Sequence, residues 1–158
     1  MLVGCLLLPD GGAAAPGAGQ PVPAVKVATL TGEQAYLDHF KGKVLVLDFF
    51  STWCSPCRET IPHLLELKRK YGSQGLQILG VSAGGESERQ IRAFIQEYRI
   101  TYPVVVESDA VLSAFGVRSV PVMVVIDRNG TISEIFRGYS KTMERSSDLL
   151  IRKLLAGA

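Results

Sequence analysis

The stretch that decides the fold is Val44-Leu45-Val46-Leu47-Asp48-Phe49-Phe50-Ser51-Thr52-Trp53-Cys54-Ser55-Pro56-Cys57. Its first half is an almost unbroken apolar run, the pattern of a strand covered on both faces. Its second half leads into a helix over Ser55 to Tyr71, with Ile61, Leu64, Leu65 and Tyr71 on one side and Glu66, Lys68 and Arg69 elsewhere. Pro62 is expected to bend that helix. A buried strand thus hands over to a helix, and two cysteines three positions apart sit at the junction.

Outward from this unit the signals alternate. Leu76 to Ser82 reads as a second buried strand. Ile91, Phe94, Ile95 and Tyr98 recur at helical spacing and predict a helix with a core-facing stripe. Pro103 to Val106 reads as a short extended piece and Asp109 to Phe115 as a short helix. Val120 to Ile126 is the third strand. Asn129-Gly130 is a two-residue hairpin signal, and Thr131 to Arg137 alternates as a returning edge strand does. A last helix spans about Met143 to Leu155. The order βαβ, helix, ββα predicts an α/β fold: a central mixed sheet flanked by helices.

The chain has 158 residues, enough for one domain and short for two. With 47% hydrophobic and 20% charged residues it can build a core. Its 17 basic and 15 acidic residues leave +2, without a basic block, which sets nucleic-acid binding aside. No apolar run reaches the roughly 20 residues that span a bilayer.

Residues 1–24 differ from the rest. From Pro9 to Ala24, 13 of 16 residues are Pro, Gly or Ala, so this part reads as a flexible tether or signal remnant ahead of a domain over 25–158. Leu2-Val3-Gly4-Cys5 resembles a bacterial lipobox, in which the cysteine carries lipid. Neither a charged start nor a long apolar stretch precedes Cys5, and Leu6-Leu7-Leu8 after it fits a signal's apolar segment. Lipidation of Cys5 and an ordinary export signal both stay open, with a cytoplasmic location as the alternative.

At the strand–helix junction, Cys54 is placed to cap the helix, where unpaired N–H groups and the helix dipole favour thiolate over thiol. Cys57, three positions on, is within disulfide reach and expected to be more buried. Cys54 is therefore read as the attacking nucleophile and Cys57 as the resolving thiol. Pro56 rigidifies the first turn at little cost. A zinc site would need further ligands, and beyond this pair the domain offers His39 and His63 without a second cysteine pair. Haem attachment would need His after Cys57, where Arg58 stands. A purely structural disulfide over so small a loop constrains little. No metal and no organic cofactor is called for.

Residues from about Val25 onward resemble the thioredoxin superfamily, and within it the ResA/TlpA group of extracytoplasmic thiol–disulfide oxidoreductases. The resemblance is carried by Asp48-Phe49-Phe50, Trp53-Cys54-Ser55-Pro56-Cys57, Pro62, Gly85-Glu86-Ser87 and Val120-Pro121. It implies the thioredoxin fold, with an insertion between the βαβ and ββα halves. It implies that Val120-Pro121 is the family's cis-proline, packed against the cysteines and offering backbone to a substrate strand, where a trans proline opening an edge strand is the plain reading. Val122 replaces the threonine common after this proline. The resemblance makes Asp48 the buried aspartate that takes and returns the Cys57 proton; pairing with a lysine such as Lys43 is the alternative. It matches Glu86 to a glutamate beside the active site that tunes thiol acidity, against a plain helix start capped by Ser87. Trp53 is an apolar contact for substrate, or simple packing. His39 and His63 receive no role.

The implied activity is reduction of disulfides in exported proteins, such as cytochrome c precursors, by a monomer that draws electrons from a membrane thiol carrier. A general thioredoxin-type reductase is one alternative. A peroxiredoxin-like peroxidase is a second, but its Pro-x-x-x-Thr-x-x-Cys cradle meets Leu47 and Ser51 here. A metal- or haem-binding module is a third, weakened by the lack of nearby His or Met ligands.

Overall fold

The computed structural model describes residues 14–106 and 109–157. Its centre is the strand read first, β3 (Val44–Phe50), buried along its whole length. Before it come two short strands, β1 (Lys26–Ala28) and β2 (Gln34–Tyr36), paired antiparallel. After it come α1 (Ser55–Tyr71), β4 (Leu76–Ser82), α2 (Glu88–Glu97), β5 (Val104–Val105), α3 (Asp109–Phe115), β6 (Val122–Ile126), β7 (Ile132–Arg137) and α4 (Lys141–Ala156). The five-stranded sheet has the order β5-β4-β3-β6-β7. β3 runs parallel to β4 and antiparallel to β6, so the sheet is mixed.

Because side chains alternate along a strand, β3 feeds two cores. Val44, Val46 and Phe50 join Ile61, Leu64 and Leu67 of α1, Ile91 and Phe94 of α2, and Met143 and Ile151 of α4. Leu45, Leu47 and Phe49 face the opposite layer, with Val111 and Phe115 of α3. Phe50 stacks on Phe94 at 5.5 Å between ring centroids, and Phe49 tilts against Phe115 at 5.6 Å. Asp48 has the parity of Val46 and Phe50, so it points into the α1 layer.

Two local features differ from the sequence reading. β1 and β2 carry too few apolar residues to register as strands. The β6–β7 connection is not a two-residue turn: the Gly130 N–H donates to the Asp127 carbonyl, and Asp127 Oδ1 accepts from the N–H groups of Asn129 and Thr131. Gly130 alone takes the left-handed conformation (φ 79°), giving the three-residue loop in which an aspartate side chain organises the turn. Helix α1 holds Pro62 within its span.

The docked chain also begins ahead of Val25. Gly19 N–H donates to the Ile132 carbonyl, Val22 N–H to the Gly130 carbonyl, and Ile132 N–H to the Gln20 carbonyl. Val22 is buried among Val27, Leu37, Leu45 and Ile132. Part of the Pro/Gly/Ala-rich stretch therefore lies against the end of β7. Cys5 and the lipobox-like string lie outside the described residues.

Candidate active site

The parallel β3–β4 pair directs two chain exits to the same end of the sheet, and the site forms there. Residue 54 caps α1: the Cys57 N–H donates to Cys54 Sγ at 3.2 Å, and Pro56 follows in the first turn. Cys54 and Cys57 are joined in a disulfide with 5.3 Å between their Cα atoms. Cys54 is 6% exposed and Cys57 1%, so the outer sulfur belongs to Cys54. Once reduced, Cys54 keeps the unpaired N–H groups of the helix start around its sulfur, which favours its thiolate.

Trp53 stands 68% exposed beside this pair. With Ala83, Val117, Arg118, Ser119 and Val120 it lines a cleft of about 180 Å³. The Val120–Pro121 bond is cis, and Val120 packs against both cores from the cleft wall. The structure thus brings Trp53 and Val120 to one opening next to Cys54. A larger groove of about 600 Å³ lies along the β5 edge by Leu30, Ile95 and Ile100, and no predicted site residue lines it.

Asp48 is buried opposite Gly80 of β4 and Met123 of β6. Burial raises its carboxyl from 3.8 to about 7. Its Oδ1 meets no hydrogen-bond partner, and it takes part in no ion pair among the described residues. Lys43 is exposed ahead of β3 and does not pair with it. Sequence reasoning missed its neighbour Tyr102. The space left by the missing side chain at Gly80 is filled by Phe50, Tyr102 and Val104, with Tyr102 Cε2 3.3 Å from where a Cβ would be. Burial, followed by the Asp48 charge, pushes the Tyr102 hydroxyl well above its ordinary value. That hydroxyl also lacks a partner. The visible signal in the sequence was the glycine directly across from the aspartate, but register is not written in the sequence.

Glu86 sits differently from a group aimed at sulfur. Its Oε1 accepts from the Thr52 N–H, and its Oε2 accepts from the Ser82 hydroxyl at 2.7 Å and the Gly84 N–H at 3.0 Å. Burial pushes this carboxyl up, but the Thr52 and Ser82 donors outweigh it and hold it below the ordinary value. It is a clamp between the β4–α2 loop and the β3–α1 loop. On the outer side, the Arg58 guanidinium donates to the Thr52 carbonyl at 2.9 Å. Thr52, two residues before Cys54, is therefore held at both its N–H and its carbonyl. Ser87 does cap α2, in a reciprocal box with Gln90. Gly84 is required by the clamp, because a Cβ there would meet Glu86 Oε1 at 2.6 Å and Ser51 Cβ at 2.7 Å.

Among the described residues no group of three His, Cys, Asp or Glu side chains is placed to hold a metal ion. His63 instead exchanges a 2.8 Å hydrogen bond with Ser147 between α1 and α4, away from the cysteines.

The sequence pattern of the AhpC/TSA family matches residues 18–135, which takes in the cleft, the disulfide, Asp48 and Glu86. The chain belongs to the AhpC/TSA family. Within reach of this family member is the thioredoxin-like protein YneN of Bacillus subtilis, 34% identical over 135 residues, 83% of this chain and 79% of that one. The thiol-disulfide oxidoreductase ResA of Geobacillus thermodenitrificans is 35% identical over 121 residues, 76% of this chain and 69% of the relative. Among solved structures, a thiol:disulfide interchange protein of the thioredoxin family from Chlorobium tepidum superposes with a TM-score of 0.77 at 25% identity, covering 91% of this chain and all (100%) of that one. The thioredoxin domain of a thiol-disulfide oxidoreductase from Bacteroides vulgatus gives 0.75 at 25% identity over 87% and 99%. This AhpC/TSA-family chain is a thiol–disulfide oxidoreductase of the thioredoxin fold, with Cys54 and Cys57 as its disulfide.

Proposed function

We propose that the protein is a reductant of disulfides in exported proteins, cytochrome c precursors among them, and that it works outside the cytoplasm as a monomer recharged by a membrane thiol carrier. The observation that carries the redox reading is the Cys54–Cys57 disulfide capping α1 beside an open cleft. In the reduced protein the Cys54 thiolate attacks a partner disulfide. A Cys54–partner bond forms, and the partner's other sulfur leaves as a thiolate. Cys57 then gives its proton to the Asp48 carboxylate and attacks Cys54 sulfur. The internal disulfide closes, the second partner thiolate departs, and two electrons have passed to the partner. A carboxyl that titrates near neutrality is suited to take and return that proton.

The reducing direction has a physical support. A strong oxidant owes its potential to stabilisation of its reduced form. Here the Asp48 carboxyl shares the α1 layer with Cys57 and, once ionised, disfavours a thiolate there, while the neighbouring Arg58 is engaged with the Thr52 carbonyl. The resemblance to the extracytoplasmic ResA/TlpA group supports export, and the Pro/Gly/Ala-rich sequence ahead of Gly19 suits a tether to the membrane. No helix among the described residues is long and apolar enough to cross a membrane.

Catalysed reduction of insulin disulfides by dithiothreitol tests this reading. The native protein is expected to accelerate precipitation of the reduced chains, and Cys54→Ser to abolish the acceleration. Cys57→Ser is expected to accumulate a covalent complex with the substrate. Acceleration that survives Cys54→Ser would overturn the assignment.

A further inference from the structure

We infer that Arg118 selects substrates whose reacting cysteine is flanked by an acidic residue; the inference rests on the proposed oxidoreductase function and names the substrate class of that same site. The cleft beside Cys54 has room for about one side chain, and its walls are apolar at Trp53, Ala83, Val117 and Val120. Its one charged lining residue is Arg118, three positions before the cis-proline.

Arg118 is exposed, and its guanidinium makes no hydrogen bond and no ion pair with any described residue. Arg58, Arg69, Arg92 and Arg128 each donate to a carbonyl or a carboxylate; among the described arginines without such a bond, Arg118 is the one that lines the cleft. Among the described residues no acidic side chain lines the cleft. The Glu86 carboxylate, which holds the Thr52 loop, has both oxygens occupied by Thr52, Ser82 and Gly84. A substrate strand that lies along Val120 and brings its sulfur to Cys54 therefore meets an apolar ring, Trp53, and one unpaired planar cation. An acidic side chain next to the cysteine satisfies that cation with a bidentate pair, whereas a lysine there meets like charge.

The test uses Cys5→Ser/Cys57→Ser protein, in which Cys54 is the one cysteine left of three, and short peptides whose single cysteine carries a 2-thiopyridyl disulfide. Attack of Cys54 thiolate on the peptide sulfur forms the mixed disulfide and expels 2-thiopyridone, followed by its absorbance. A peptide with Glu on both sides of the cysteine is expected to react about three- to fivefold faster than one with Lys, a ratio that falls as salt is raised. Adding Arg118→Glu is expected to invert the order, and Arg118→Lys to keep part of it. The ratio is read on one protein at a time, so general damage by a substitution cancels. Rates above free cysteine but equal for both peptides would overturn the role of Arg118 alone. Rates no faster than free cysteine with every peptide would overturn the Cys54 nucleophile, and the inference with it.

Discussion

Asp48 is a carboxylic acid that the fold holds largely protonated up to neutral pH. Its carboxyl is raised from 3.8 to about 7 by burial, while the unfolded chain ionises it from about pH 4. The folded state therefore binds the proton more tightly, and stability falls as pH rises from about 4 to 7 and stays reduced above. Replacement by asparagine removes that cost. Asp48→Asn is expected to stabilise the oxidised protein by up to about 4 kcal/mol at pH 8 and by little near pH 4. Urea unfolding at the two pH values measures it, and equal gains at both would contradict the assignment. The same substitution is expected to slow resolution by Cys57 while leaving the first attack by Cys54 in place, read as a mixed disulfide that persists in stopped-flow quenching. Tyr102 shows where residue-level reading from sequence stops. Its contact with the Asp48 neighbourhood depends on Gly80 standing across from Asp48, a register set by β-pairing rather than by local composition.

At the scale of elements, the active-site loop is fixed by partners from two directions. Glu86 draws Thr52 toward the β4–α2 loop, and Arg58 reaches back to it from α1. Glutamine at position 86 has one oxygen for donors that now use two, so Glu86→Gln is expected to cost about 2 kcal/mol in thermal or denaturant unfolding. Because the folded carboxyl is held below its ordinary value, its contribution is present above about pH 4.5 and is lost as pH falls further, and the difference between native and Glu86→Gln should shrink there. A difference that grows toward low pH would contradict the clamp. Every strand and α-helix from β3 onward was legible in the sequence, the long apolar runs of β3, β4 and β6 and the helical stripe of α2 most directly. Three-residue β1 and β2 bury one side chain between them outright, Val27, and left no pattern to read. The Asn129-Gly130 signal was read one residue too tightly because the Asp127 side chain, not the dipeptide, organises the turn. The cysteine pair and the proline were legible because their chemistry is local or motif-borne. The Glu86 clamp was not, since its partners are spread over Thr52, Ser82 and Gly84.

At the scale of the whole molecule, the docked chain starts ahead of the first strand. The segment over 19–22 adds three backbone hydrogen bonds and the burial of Val22 to the end of β7. Deleting residues 1–23 is expected to cost about 2 kcal/mol, or about 4–8 °C in Tm for a domain of this size. An unchanged Tm would show that this segment does not dock. Composition hid this, because proline and alanine read as tether wherever they cluster, while one valine with neighbouring backbone donors suffices to seat the chain. Two exits of a mixed sheet meet at the helix-capping Cys54, with Trp53 and the cis-proline around it and a protonated carboxyl beneath. That arrangement amounts to a reversible dithiol–disulfide couple. The most direct test equilibrates the purified protein in dithiothreitol buffers of graded ratio and counts trapped thiols at Cys54 and Cys57. The account predicts a single two-electron transition near about −270 mV, the reducing end of the thioredoxin range. A transition near about −120 mV would make the protein an oxidant, and the absence of any reversible couple would contradict the function altogether.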